Sequence, residues 1–295
     1  MRSFKLLLIF CFLICSIMPV SAEFSTGGNV YKMDDIEIIA VLDASTDLKQ
    51  GILLGDEALI KELMPDESKK SSVNTFVIKK GESIILVDTG FGAPKGKTVE
   101  NLKRMGIMPE MINSILFTHL HGDHVGGLLE NGEIVFPNAK IFISQDEYNY
   151  WFHEGLRSES ANPAAFDFAM GAINAYGEQV VVFEHGLEIL PGIVAIDEPG
   201  HTPGHVGFLV ITENEKLLIW GDITHFNDVQ MTAPQLSVTF DVDSERAKET
   251  RLFILDWVAT EGIYVAGAHI IHPGIGKVRL EDGHYFFEVI GSLNE

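Results

Sequence analysis

Thr118-His119-Leu120-His121-Gly122-Asp123-His124 is the stretch on which the reading of this chain turns. Four side chains able to ligate a metal fall within six residues, directly after the apolar run Ser114-Ile115-Leu116-Phe117, where a strand would reach the surface. On extended chain His119 and His121 point to the same face and can grip one ion through imidazole nitrogens. Val125-Gly126-Gly127-Leu128-Leu129-Glu130 predicts a short helix with Asp123 near its N-cap. The turn at Gly122 then aims Asp123 and His124 at a neighbouring position, so that one strand-to-helix turn serves two metal ions.

Other segments end on ligand-type residues in the same way. Asp197-Glu198-Pro199-Gly200-His201-Thr202-Pro203-Gly204-His205 is a rigid turn in which prolines fix φ and glycines permit tight bends. It offers His201 as a third ligand beside His119 and His121, the three-residue set of a catalytic zinc site with a position left for water. His205 reads as an orienting hydrogen-bond partner. Leu217-Leu218-Ile219-Trp220-Gly221-Asp222 is an apolar strand ending in a carboxylate, and Asp222 is the candidate bridge because its two oxygens can serve two cations. Tyr264-Val265-Ala266-Gly267-Ala268-His269 ends a strand on a histidine suited to the Asp123/His124 position. His272 competes with it, and the residues alone favour His269 only because it directly ends the strand. Asp88, closing Ile85-Leu86-Val87, reads as a brace accepting hydrogen bonds. His225 is the candidate hydrogen-bond donor to substrate or leaving group, with an orienting role as the alternative, and Asp123 can accept a proton. His153, His185 and His284 read as surface residues. Phe91, Trp151, Phe152 and Phe226 flank the motif loops, either as walls of an apolar pocket or as packing beneath the loops.

Composition narrows the chemistry. Arg2 and Lys5 precede the apolar run Leu6 to Met18, and Val20-Ser21-Ala22 is a small-residue cleavage site, so residues 1–22 are expected to be a signal peptide and residues 23–295 the mature hydrolase domain. The apolar run is short for a spanning helix. The expected location is periplasmic or secreted, with no membrane association after cleavage. Both cysteines, Cys11 and Cys15, fall in the leader. A mature chain without cysteine excludes a thiol nucleophile, thiolate ligands and disulfides. Loss of Arg2 and Lys5 would take the formal charge from -21 to -23, since no acidic residue precedes Glu23. Such acidity disfavours nucleic acid, whose phosphates call for clustered Lys and Arg. A small-molecule substrate is the expected partner, and a homodimer is compatible with the sequence.

Between the motifs the chain alternates. Ile36 to Val41, Thr75 to Ile78, Ser83 to Val87 and Ile115 to Thr118 predict strands, with a helix near Val99 to Met105. A second series follows at Lys140 to Ile143, Val180 to Phe183, Ile193 to Ile196, Val206 to Val210 and Lys216 to Trp220. The last long helix is expected to begin near Asp243-Ser244 and to stop at Gly262. Two groups of strands with helices between them predict a layered α/β fold.

The His119-x-His121-x-Asp123-His124 motif, the Pro-Gly-His201 turn and the strand ends Gly221-Asp222 and Gly-x-His269 resemble the metallo-β-lactamase superfamily over roughly Val73 to His269. Leu53-Leu54-Gly55-Asp56, Trp220 to His225 and Ala266 to Gly276 are most similar to its methyl parathion hydrolase-like and lactonase-like branch. The resemblance implies a four-layered αβ/βα sandwich. It also implies His119, His121 and His201 on one ion, Asp123, His124 and His269 on the other, and Asp222 between them, with His269 preferred over His272. That branch usually carries an aromatic where His272 stands. True β-lactamases often carry a thiolate or another residue in the place of Asp222. The expected activity is hydrolysis of an ester, lactone or phosphotriester by a hydroxide shared between two divalent ions, zinc first and Mn, Fe or Co as alternatives. A noncatalytic metal-binding module on the same fold and a β-lactam hydrolase are the competing expectations.

Overall fold

A computed structural model describes residues 29–290, and the expected leader with its cleavage site lies outside them. Two seven-stranded sheets face each other. The first follows the chain in spatial order from Asn29–Met33 through Ile36–Lys49, Ser68–Lys80, Ser83–Val87, Ser114–Leu116 and Lys140–Ser144 to Val180–Phe183. The second does the same from Glu188–Leu190 through Ile193–Asp197, Val206–Ile211, Lys216–Ile219, Tyr264–Ala266 and Ile275–Glu281 to His284–Val289. Ser83–Val87, Ser114–Leu116, Lys140–Ser144 and Val180–Phe183 run parallel, as do Lys216–Ile219 and Tyr264–Ala266.

The period of two along each strand builds the layers. Ile85 and Val87 point between the sheets, where they join Phe208, Leu217 and Ile219. Ile84 and Leu86 point outward to Leu102, Phe166 and Ile173 on helices Thr98–Arg104 and Pro163–Asn174. On the other side Leu218 and Val265 meet Ile254, Leu255 and Val258 of helix Ser244–Glu261. Central strands buried on both faces read as continuous apolar runs, which is the pattern seen in the sequence. The result is the helix–sheet–sheet–helix sandwich that the resemblance implies.

Most strands lie where the apolar runs place them, and two are much longer. Ile36–Lys49 and Ser68–Lys80 form an extended hairpin arm whose polar second half carries no apolar signal. The last helix begins after Asp243, whose carboxylate accepts the Arg246 N–H, and ends at Gly262 in the left-handed conformation (φ 66°). One expectation fails. The helical turn is Gly122–Val125 with His121 at its N-cap, followed by a 3-10 turn and an extended pair, so Asp123 sits inside the turn rather than at a cap. Gly126 and Gly127 serve close approach instead: a Cβ on either would collide with the carbonyls of Phe91 or Thr89.

Trp151 is buried in the core beneath the loops, whereas Phe226 packs in a cluster of its own and also lines a cavity with His225 and His269. Phe152 stacks on Tyr148 and Phe91 lies under Lys95. Among the described residues no helix is long and apolar enough to cross a membrane.

Candidate metal centre

Every sequence-selected ligand lies at or just beyond the carboxyl end of a strand, at one edge of the sandwich. Strand Ser114–Leu116 delivers Thr118 to His121, Lys216–Ile219 delivers Asp222, and Tyr264–Ala266 delivers His269. His201 comes from the turn between Ile193–Asp197 and Val206–Ile211. Gly221, at φ 51°, turns the backbone beneath Asp222, and a side chain there would strike His205 and Thr118.

The structure brings these side chains together in two groups, His119/His121/His201 and Asp123/His124/His269, with Asp222 joined to His119 and His124. His121 Nδ1 lies 3.0 Å from His119 Nε2 and 2.9 Å from His201 Nε2. Asp222 Oδ2 is 3.2 Å from His201 Nε2 and 3.1 Å from His269 Nε2, while its Oδ1 is 3.2 Å from His124 Nε2. His269 Nε2 stands 3.5 Å from Asp123 Oδ2. His272 is turned away and donates from Nδ1 to Asn74 Oδ1.

The outer ring nitrogens are already engaged. His124 Nδ1 donates to Asp88 Oδ2 (2.8 Å), His201 Nδ1 to Asp241 Oδ1 (2.9 Å) and His269 Nδ1 to the Ser72 carbonyl (3.0 Å). Thr118 donates its hydroxyl to Asp88 and faces His119 Nδ1 at 3.1 Å. With those protons committed outward, the inner nitrogens face a common centre, and once their own protons leave they would offer lone pairs there, the arrangement that orients metal-bound histidines. His124 Nε2 and Asp222 Oδ1 are buried without a hydrogen-bond partner. Buried polar atoms are rarely left so, and a cation at this spot satisfies both. The nitrogen and oxygen donor set therefore fits two divalent ions.

Electrostatics follow from the packing. Burial works against the charge of Asp222, yet the surrounding His269, His124, His119 and His225 hold its pKa well below the carboxylate range. Burial also presses His121 down to about 3 and His225 to about 4, so both rings are neutral at pH 7. His201 is the opposite case: burial lowers it, but hydrogen bonds to Asp222 and Asp241 raise it to about 9.

His225 Nε2 faces Asp222 Oδ2 at 3.1 Å, and its Nδ1 is buried without a partner. His225 and His269 line a cavity of about 360 Å³ with Ser68, Lys69, Asn227 and Ile271. His205 accepts the Asp222 N–H at Nε2 and donates from Nδ1 to the Glu198 carbonyl, which makes it an orienting residue. Asp88 takes the bracing role read from its position. His153, His185 and His284 lie away from both groups.

Sequence reasoning missed several residues that hold the site. Glu147 is buried and accepts from Leu120 N, Trp151 Nε1 and Thr202 Oγ1, tying the first motif to the His201 turn. Ser144-Gln145-Asp146-Glu147 reads as an ordinary helix start, which hid it. Asp241 had no partner in sequence. The polar run Ser71-Ser72-Val73-Asn74 inside a central strand was the available signal for a third support.

A family model described as the metallo-beta-lactamase superfamily matches residues 69–260. This chain belongs to that superfamily. An N-acyl homoserine lactonase from Bacillus sp. is 30% identical over 185 residues, covering 55% of this chain and 67% of the relative. The N-acyl homoserine lactonase AttM of Agrobacterium fabrum is 32% identical over 129 residues, covering 41% of this chain and 44% of the relative. Among solved structures, the hydrolase AbOPH of the beta lactamase superfamily superposes with TM-score 0.84 at 30% identity, over 91% of this chain and 99% of that one. AidC, a dizinc quorum-quenching lactonase, superposes with TM-score 0.81 at 22% identity, over 89% and 97% of the two chains, which bears on the fold alone. The chain is a metal-dependent hydrolase of the metallo-beta-lactamase superfamily with His/Asp clusters suited to two metals.

Proposed function

We propose that this chain is an exported dizinc lactonase whose substrate is an N-acylamino lactone. The observation that carries the reading is the convergence of two nitrogen and oxygen clusters on the two oxygens of Asp222. Similarity to lactonases of Bacillus and Agrobacterium supports the substrate class. His119, His121 and His201 would hold one cation, Asp123, His124 and His269 the other, with Asp222 between them. Two such cations would lower the pKa of water toward neutrality and polarise a carbonyl oxygen.

The chain's own residues supply the rest. Neutral His225 holds its Nε2–H against Asp222 and can offer it to the carbonyl or leaving oxygen of a substrate in the adjoining cavity. Asp123 stays ionised, because His124 and His269 outweigh the effect of its burial, which suits it to hold a cation. Zinc suits the donor set.

The test is a panel of an N-acylamino lactone, an aryl ester and a phosphotriester, offered to protein carrying two zinc ions. Lactone opening faster than the other two supports the reading. Zinc-loaded protein that cleaves the phosphotriester or aryl ester but no lactone overturns the substrate class. Export belongs to the same proposal, and a mature N-terminus other than Glu23 on protein recovered outside the cytoplasm would contradict cleavage after Ala22.

A further inference from the structure

We infer that Asn74, with Ser72 and His272 beside it, is a positioning residue that sets the affinity of the Asp123/His124/His269 cluster separately from the other one. The inference rests on the metal roles proposed above. His269 lies on a loop of the second sheet, while Asn74 lies on Ser68–Lys80 of the first. Four consecutive loop carbonyls, Gly267 to Ile270, all accept hydrogen bonds from this one strand. Asn74 gives its side-chain amide to Gly267 O (3.2 Å) and Ile270 O (2.7 Å) and its backbone N–H to Ala268 O (2.9 Å). Ser71 Oγ donates to His269 O at 2.9 Å. In return His269 Nδ1 donates to Ser72 O, His272 N to Ser72 Oγ and His272 Nδ1 to Asn74 Oδ1.

Asn74 is 1% exposed, so its amide cannot be replaced by bulk water. A strand buried at this depth normally carries apolar residues; the polar run here is spent on the loop that carries His269. His272 completes the frame by occupying the remaining acceptor of the amide, which fixes which way the amide faces. The His119/His121/His201 cluster is held by Thr118, Glu147 and Asp241, none of which is hydrogen-bonded to Asn74; Thr118 also reaches His124 through Asp88, a support that Asn74 leaves in place. Partners of this kind change metal affinity by roughly 10–100-fold when removed.

Asn74→Ala and His272→Phe are the variants, compared with wild type by equilibrium dialysis against zinc and by the visible spectrum of the cobalt-substituted protein. The expected result is a 10–100-fold loss of affinity for one of the two ions with the other retained, larger for Asn74→Ala, and partial recovery in His272→Gln, which restores a donor. Equal loss of both ions, or wild-type affinity for both in His272→Phe and in folded Asn74→Ala, overturns the inference. Wild-type protein that binds fewer than two ions would instead overturn the proposed metal centre itself.

Discussion

Asp222 is the side chain on which both clusters depend, since its Oδ2 faces His201 of one and His269 of the other while its Oδ1 faces His124. Asp222→Asn replaces one oxygen with an N–H donor pointing at ring nitrogens or a cation. We expect it to lose two-metal occupancy, with turnover lowered by more than about a hundredfold, whereas His205→Ala removes only an orienting contact and keeps more metal. Elemental analysis after dialysis distinguishes the two. His225→Ala should lower turnover on the order of a hundredfold, the cost of one donor at a reacting oxygen, while metal content stays at the wild-type value. Unchanged kinetics, or loss of metal, would remove that role. His201 provides a pH dependence. In metal-free protein its pKa is raised to about 9, so at pH 7 the ring is protonated and a cation must displace that proton. Zinc affinity should therefore rise with pH up to about 9, with proton release on binding measurable by calorimetry in buffers of different ionisation enthalpy. The same raised pKa makes the His201 contribution to metal-free stability full below about pH 6.5 and lost as pH rises through about 9.

At the scale of elements, the Pro-Gly-His201 turn is held against helix Gln145–Trp151. Gly204 packs where any Cβ would meet the Glu147 backbone, and Ser144 Oγ donates to the Gly204 carbonyl. Gly204→Ala should push the helix start away and with it Glu147, which links Leu120 to Thr202. A stability loss of about 1–3 kcal/mol by urea denaturation is expected, together with weakened metal binding at His121 and His201. A wild-type urea midpoint would show that the turn and helix can separate freely. This element also shows where sequence reading reaches its limit. Helix Ser244–Glu261 was legible because Asp243 and Gly262 mark its ends chemically. Helix Pro163–Asn174, which covers the first sheet, was not marked out in the sequence reading and is identified by its tertiary packing. The expected helix after His124 failed because Gly126 and Gly127 answer to a loop some 35 residues earlier in the chain rather than to local propensity.

Across the whole molecule, the candidate metal centre joins two halves of the chain. The first sheet and its loops contribute His119, His121, Asp123 and His124; the second contributes His201, Asp222 and His269. Cations held there would act as cross-links between sheets that otherwise meet through apolar side chains. Chelation should therefore lower the melting temperature. At free zinc 100 times the dissociation constant the stabilisation is about 2.7 kcal/mol per site, and differential scanning calorimetry with and without chelator measures it. An unchanged melting temperature in protein shown to lose its metal would mean that the sheets hold together without the centre.

By itself the sequence determined the ligand types, the layered α/β class and the strand ends on which the ligands stand, because ligand chemistry and apolar periodicity are local properties of the chain. Tertiary structure alone decided the supports: Asn74 beneath His269, Asp241 behind His201 and Glu147 between two motifs. It also decided that His272 turns to Asn74 rather than inward. Those roles depend on hydrogen bonds between residues far apart in the chain, and a buried polar side chain carries no mark in sequence of which partner the fold will bring to it.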